Sequence, residues 1–146
     1  MHTLDPSLAT TLDRFVRAQD PVYETVLEEL RNGRKRSHWV WFIFPQLRSL
    51  GRSNMAEHYG LADVAEARRF LAHDVLGPRL RQCSGVLLTI GDKSAYEVMG
   101  SPDDLKLCSS MTLFAAIAED NSPFHAVLTK FFDDVPDPQT RDLFHD

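Results

Sequence analysis

The stretch SPDDLKLCSSMTLFAAIA, residues 101–118, decides the fold class. It opens on Ser101 directly before Pro102, carries Asp103 and Asp104 where a first helical turn would lie, and then runs from Leu107 to Ala118 without a charged residue. A serine or aspartate at an N-cap accepts a hydrogen bond from an orphan backbone N–H. A proline at the next position has no N–H to lose, and its φ is already helical. Early carboxylates complement the positive end of the helix dipole. An element apolar on every side is a buried one. The stretch therefore reads as a helix through the middle of the molecule.

Working outward, the same dipeptide punctuates the chain at Asp5-Pro6, Asp20-Pro21, Ser122-Pro123 and Asp137-Pro138. With Ser101-Pro102 these predict five helix starts. Apolar residues at helical spacing follow them: Leu8, Leu12, Phe15 and Val16; then Val22, Tyr23, Val26, Leu27 and Leu30, stopping at Asn32-Gly33; then Phe124, Val127, Leu128 and Phe131. Asp63 precedes Val64, Ala67, Phe70 and Leu71, and Ser94 with Glu97 has the spacing of a capping box. Residues 37–47 and 82–91 are also free of Asp, Glu, Lys and Arg, and like 107–118 they are expected to cross the core. Val86 to Ile90 has the length of a buried strand, but it continues a helical pattern from Leu76. No extended alternation of period two occurs, so the expected class is all-α, a compact multihelical bundle with buried central helices.

Composition sets the outer bounds. The 146 residues are 43% hydrophobic and 25% charged, which excludes a disordered, collagen-like or rod-like chain. The length fits one helical domain over 1–146. No apolar run approaches the ~20 residues that span a bilayer, so no membrane association is expected. Cys83 and Cys108 lie in apolar stretches without metal-type spacing, and no secretory leader is visible, which together point to the cytoplasm. The net charge of −5 argues against a nucleic-acid partner. The charge is uneven: the first 55 residues hold 8 Lys/Arg against 6 Asp/Glu, whereas residues 119–146 hold 2 against 7.

Signature motifs for catalysis are absent, and the six histidines form no i, i+4 pair that would chelate a metal. No metal or cofactor is expected. Gly91-Asp92-Lys93-Ser94 has a superficial likeness to the end of a P-loop, but Asp92 would repel phosphate. Two segments carry polar groups inside apolar surroundings. In GRKRSHWVWFIFPQ, residues 33–46, Arg34 and Lys35 stand ahead of Trp39 and Trp41. A helix capped by Ser37 would place His38 on one face with Trp41 and Phe42. Cations for phosphate and flat faces for a base are the two parts a nucleotide site needs. In the second segment Lys106 shares a helix face with Ser109 and Ser110, and Thr112 adds a third hydroxyl. These hydroxyls either bond back to i−4 carbonyls or line a polar pocket anchored by Lys106.

The strings from Gly33 to Gln46, Leu76-Gly77-Pro78-Arg79-Leu80 and Asp103 to Phe114 resemble the hallmark of the bacterial and plant domain-of-unknown-function family 1810, over about residues 15–143. The resemblance implies a single all-helical domain and no established activity. Some members bear a calpastatin-like label, but that inhibitor is an extended, disordered chain and this sequence has a helical core.

The expectation that follows is a site for a small phosphate-bearing or nucleotide-like ligand. Arg34, Lys35 and Lys106 would hold the anion, Trp39 or Trp41 would stack, and His38, Gln46, Ser109, Ser110 and Thr112 would donate or accept hydrogen bonds. If the site also turns its ligand over, His38, Lys106 and Ser109 are the residues with the chemistry for it. The competing expectation is a non-enzymatic interaction module or homo-oligomer, pairing the basic turn at residues 34–36 with the acidic segment from Asp133 onward. A polar cleft favours the first and an exposed apolar patch the second.

Overall fold

In the computed structural model, residues 11–143 are described. They form ten α-helices: α1 Asp13–Gln19, α2 Tyr23–Arg31, α3 Val40–Ile43, α4 Asn54–Tyr59, α5 Val64–Ala72, α6 Leu76–Leu87, α7 Ala95–Met99, α8 Asp103–Ile117, α9 Ser122–Phe132 and α10 Pro138–Asp142. A 3₁₀ turn spans Arg48–Leu50. Among the described residues there is no strand, only one isolated parallel bridge between Leu47 and Leu61. The fold is all-α, as the periodicity predicts.

Helix α8 is the centre. Every residue from 107 to 114 is buried, and α3, α5, α7, α9 and α10 all pack on it. A file of rings runs through this core. Phe15 meets Phe70 edge-on at 5.0 Å, Phe70 lies 5.7 Å from Phe114, and Phe114 lies 5.8 Å from Phe124. Tilted and edge-on pairs at these separations are the geometry that aromatic quadrupoles favour. The other two charge-free stretches are less enclosed. In 82–91, Cys83, Ser84, Leu87 and Ile90 are buried while Gln82 and Thr89 are exposed. In 37–47 the chain is buried from Trp39 to Pro45 except at half-buried Trp41, and His38 is exposed.

The caps divide the sequence expectations. Ser53, Asp63, Ser94 and Asp137 each accept a backbone N–H from N3, and Ser94 with Glu97 closes a reciprocal capping box. Three of the aspartate- or serine-proline pairs do otherwise. Asp20 closes α1 and gives its carboxylate to Arg79 at 2.9 Å, so α2 begins after Val22 without a side-chain cap. Helix α8 begins after Pro102, which leaves Ser101 one residue outside the cap. Ser122 is itself the first residue of α9, with Asn121 at the cap and the Ser122 N–H donated to Asp120. Asp5-Pro6 lies outside the described residues.

A buried ion pair ties the N-terminal helix to the opposite side. Arg14 donates to both Glu66 carboxylate oxygens at 3.2 and 3.3 Å and to the carbonyls of His58 and Gly60 at 2.8 and 3.0 Å. Both side chains are nearly solvent-free, at 3% and 2% exposure, and the pair is hydrogen-bonded on every side. That is the condition under which buried charge is tolerated.

Candidate functional site

The basic turn is built by the end of α2. Asn32 caps the helix and Gly33 turns left-handed at φ +68°. The Gly33 N–H reaches the Leu30 carbonyl at 2.9 Å and the Arg34 N–H reaches the Glu29 carbonyl at 3.0 Å, which is a Schellman closure. Any other residue at 33 would be strained by its φ and would carry its Cβ to 3.3 Å from Lys93 Nζ. The Lys35 N–H then bonds the Val98 carbonyl at 2.7 Å, fastening the turn to α7.

Beyond the turn, one carboxylate organises the next four residues. Glu29 Oε1 accepts the N–H groups of Arg36 and Ser37 and the Trp39 indole N–H, at 2.8, 3.0 and 2.9 Å. Its Oε2 accepts the Ser37 hydroxyl. Burial by itself would raise the Glu29 pKa. The donors from Ser37, Arg36 and Trp39 overcome it and hold the carboxyl at about 2. Ser37 is thereby committed to Glu29, and α3 begins at Val40 with Trp39 at the cap rather than at Ser37. The shared face of His38, Trp41 and Phe42 does not form, and His38 is left exposed.

Asp103 joins the two motif segments. Its carboxylate takes Lys35 Nζ at 2.8 Å and Lys106 Nζ at 3.5 Å. Each ammonium also lies over an indole, Lys35 over Trp39 at 5.3 Å and Lys106 over Trp41 at 5.2 Å. Paired lysine–tryptophan stacks on a common aspartate fix α3 against the first turn of α8.

On one side of this junction is a narrow slot lined by Trp41, Phe44, Gln46, Ala56, Tyr59, Gly60 and Lys106. Its cavity volume is about 10 Å³, room for one water-sized group. Gln46 is set by the short bridge, with the Leu61 N–H on its carbonyl at 2.9 Å. At Gly60 a Cβ would stand 2.5 Å from the Arg48 Cα, so only glycine lets the two segments approach this closely. On the other side are two wider depressions that share Arg34 and Lys93. One, of about 620 Å³, is lined by Thr25, Glu28, Glu29, Asn32, Arg34, Arg36 and Lys93. The other, of about 420 Å³, adds Lys35 and the α7 residues Tyr96 to Met99.

The structure thus divides the expected site. Arg34 and Lys35 line the wide depressions, while Trp41, Gln46 and Lys106 line the slot, which His38 does not reach. Trp39 is 1% exposed with its N–H on Glu29, a core anchor rather than a stacking platform. Ser109 donates to the Leu105 carbonyl at 3.2 Å. Thr112 donates to the Cys108 carbonyl and accepts the Asp137 N–H at 2.9 Å. Ser110 is fully buried and its hydroxyl has no hydrogen-bond partner. Lys106 is directed to Asp103 and Trp41, with no hydrogen bond to Ser109 or Ser110.

The site expected from the sequence leaves out Glu29, Lys93 and Tyr96, whereas Arg36 belongs to the basic turn already singled out at residues 34–36. Glu29 left a signal, because it sits three residues after Val26 and beside Leu30 on the buried side of α2. Lys93 left one in the discarded P-loop likeness. Its Nζ bonds the Gly33 carbonyl at 3.1 Å, so a loop 60 residues away completes the basic rim. Among the described residues there is no cluster of three or more His, Cys, Asp or Glu that would hold a metal. No helix there is long and apolar enough to cross a membrane.

Comparison with known proteins agrees with the fold. The conserved hypothetical protein Rv1873 from Mycobacterium tuberculosis, known from a crystal structure, is 52% identical, with a TM-score of 0.90 over 95% of this chain and 97% of that one. No match is found among curated proteins. The family model described as protein of unknown function, DUF1810, matches residues 9–144. With nearly the whole chain matched, this protein belongs to the DUF1810 family.

Proposed function

We propose that this chain binds a small phosphate-bearing, nucleotide-like ligand over the basic turn, as a single domain acting in the cytoplasm. The observation that carries this reading is the rim formed by Arg34, Arg36 and Lys93 around one depression. Neither arginine has an ion-pair partner among the described residues, in a chain of net charge −5. Guanidinium groups left free to form bidentate bonds are the usual phosphate donors. Most nearby carboxylates are otherwise engaged, Glu29 with the loop and Glu97 with the Ser94 N–H, which leaves Glu28.

Size supports this side for the ligand. The depressions of about 620 and 420 Å³ fall in the range of small-molecule sites, and the aromatic slot of about 10 Å³ does not. The flat face available to a base is then Tyr96, 63% exposed on α7, rather than either tryptophan. Two buried, free thiols accord with a reducing compartment.

The test is a residue-resolved NMR titration with ADP and with pyrophosphate at constant ionic strength. Saturable shifts confined to residues 33–36 and 93–100 are expected. Shifts elsewhere only, or a linear response shared with added chloride, would overturn the reading.

A further inference from the structure

We infer that the ligand of the basic rim has two arms: a nucleoside diphosphate whose terminal phosphate is esterified by a sugar. This rests on the phosphate reading above and names what lies to either side of the phosphates. The first observation is that the two wide depressions meet. Arg34 and Lys93 line both of them. Lys93 is held at this shared wall, because its Nζ donates to the carbonyl of Gly33, between Asn32 and Arg34 in the chain, at 3.1 Å. A diphosphate seated on these two cations has an open depression on each side, of about 420 and 620 Å³. Each has the size of a small-molecule site. A ligand that ends in a free phosphate fills only one of them.

The second observation is a contrast in lining. The smaller depression offers the exposed ring of Tyr96. The larger has no aromatic residue. Apart from the basic rim its wall is α2 with its C-cap, where Thr25, Glu28 and Asn32 recur at i, i+3 and i+7. That spacing keeps all three on one helix face, and all three are exposed. From Thr25 to Asn32 the helix rises about 10 Å, the scale of one sugar ring with its linking oxygen. A hydroxyl, a carboxylate and an amide along such a stripe are donors and acceptors suited to hydroxyl groups.

The third observation is the free charge of Glu28. The other carboxylate of this wall, Glu29, is committed to Arg36, Ser37 and Trp39. Glu28 has no ion-pair partner among the described residues. An ionised carboxylate only accepts hydrogen bonds, so it draws neutral hydroxyls and repels a free terminal phosphate. Esterifying that phosphate with a sugar removes one negative charge and supplies the hydroxyls. Glu28 is thus the residue that separates a nucleoside diphosphate sugar from the bare nucleoside diphosphate.

The test is isothermal titration of pyrophosphate, ADP and ADP-glucose into wild type and Glu28→Ala at constant ionic strength. Glu28 is exposed and has no ion pair to lose, so the variant should fold as the wild type does. ADP-glucose is expected to bind wild type about tenfold or more tighter than ADP, the gain of one hydroxyl hydrogen bond to a charged acceptor. Glu28→Ala is expected to erase that gain while ADP binds as well as before or tighter. A purely structural role for Glu28 would weaken both ligands alike. ADP-glucose binding no tighter than ADP, a gain that survives Glu28→Ala, or equal weakening of both ligands would overturn the sugar arm and leave the phosphate reading standing. Absence of binding by all three compounds would overturn the phosphate reading and this inference with it.

Discussion

The Glu29 carboxylate accepts the Trp39 indole N–H at 2.9 Å, across ten residues that include the whole basic turn. The same oxygen receives the Arg36 and Ser37 amides, so the exposed cations sit on a loop whose far end is anchored in the core. Removing this carboxylate strands four donors: the Arg36 and Ser37 N–H groups, the Ser37 hydroxyl and the buried Trp39 indole N–H. Glu29→Ala is expected to lower stability by about 2–4 kcal/mol, the range for breaking a buried charged network. Glu29→Gln, which keeps one acceptor oxygen, is expected to cost less. Chemical denaturation of the two variants checks the order.

A pH dependence follows from the same group. Its carboxyl lies near 2 in the fold against an ordinary 4.5. The native state therefore resists protonation where the unfolded chain accepts it. The stabilisation is complete above about pH 4.5 and is lost as pH falls through 2. The linked contribution is about 3 kcal/mol. Stability curves for wild type and Glu29→Gln should converge as pH falls across that window.

The Arg14–Glu66 pair predicts a larger loss. Glu66→Ala would leave a 3%-exposed guanidinium without its counter-charge. Breaking one side of such a pair costs about 3–5 kcal/mol. A fall in Tm of roughly 10 °C is expected by calorimetry for a chain of this size.

Neither thiol should behave as a nucleophile. Burial pushes Cys83 up to about 12 and Cys108 up to about 11. At pH 8 the Cys83 thiolate is roughly one part in ten thousand of the total. Ellman's reagent should find both thiols slow in native protein and fast in denaturant. Rapid native labelling of one thiol would contradict the burial described.

Much of this architecture was readable from local chemistry. Gly33 after Asn32 marked the end of α2, Ser94 with Glu97 marked the start of α7, and the charge-free run after Lys106 marked the central helix. The failures came where a distant residue claimed a local group. Asp20 reads as a cap, but Arg79 takes its carboxylate. Ser37 reads as a cap, but Glu29 takes both its N–H and its hydroxyl, which moves the helix start and exposes His38. Lys35 and Lys106 were both visible as site residues. That Asp103 joins them, with the wide depressions and the slot on either side, depends on α7 and α8 folding back onto the turn. Lys93 enters the rim by the same route.

Isothermal titration of pyrophosphate and ADP into wild type and into the Arg34→Ala/Arg36→Ala double variant tests the proposed ligand class most directly. Both arginines are exposed and free of ion pairs, so the variant should fold as the wild type does. Saturable one-site binding to wild type, weakened at least about tenfold in the variant, is the expected result. No binding to wild type, or equal binding to the two proteins, would contradict it.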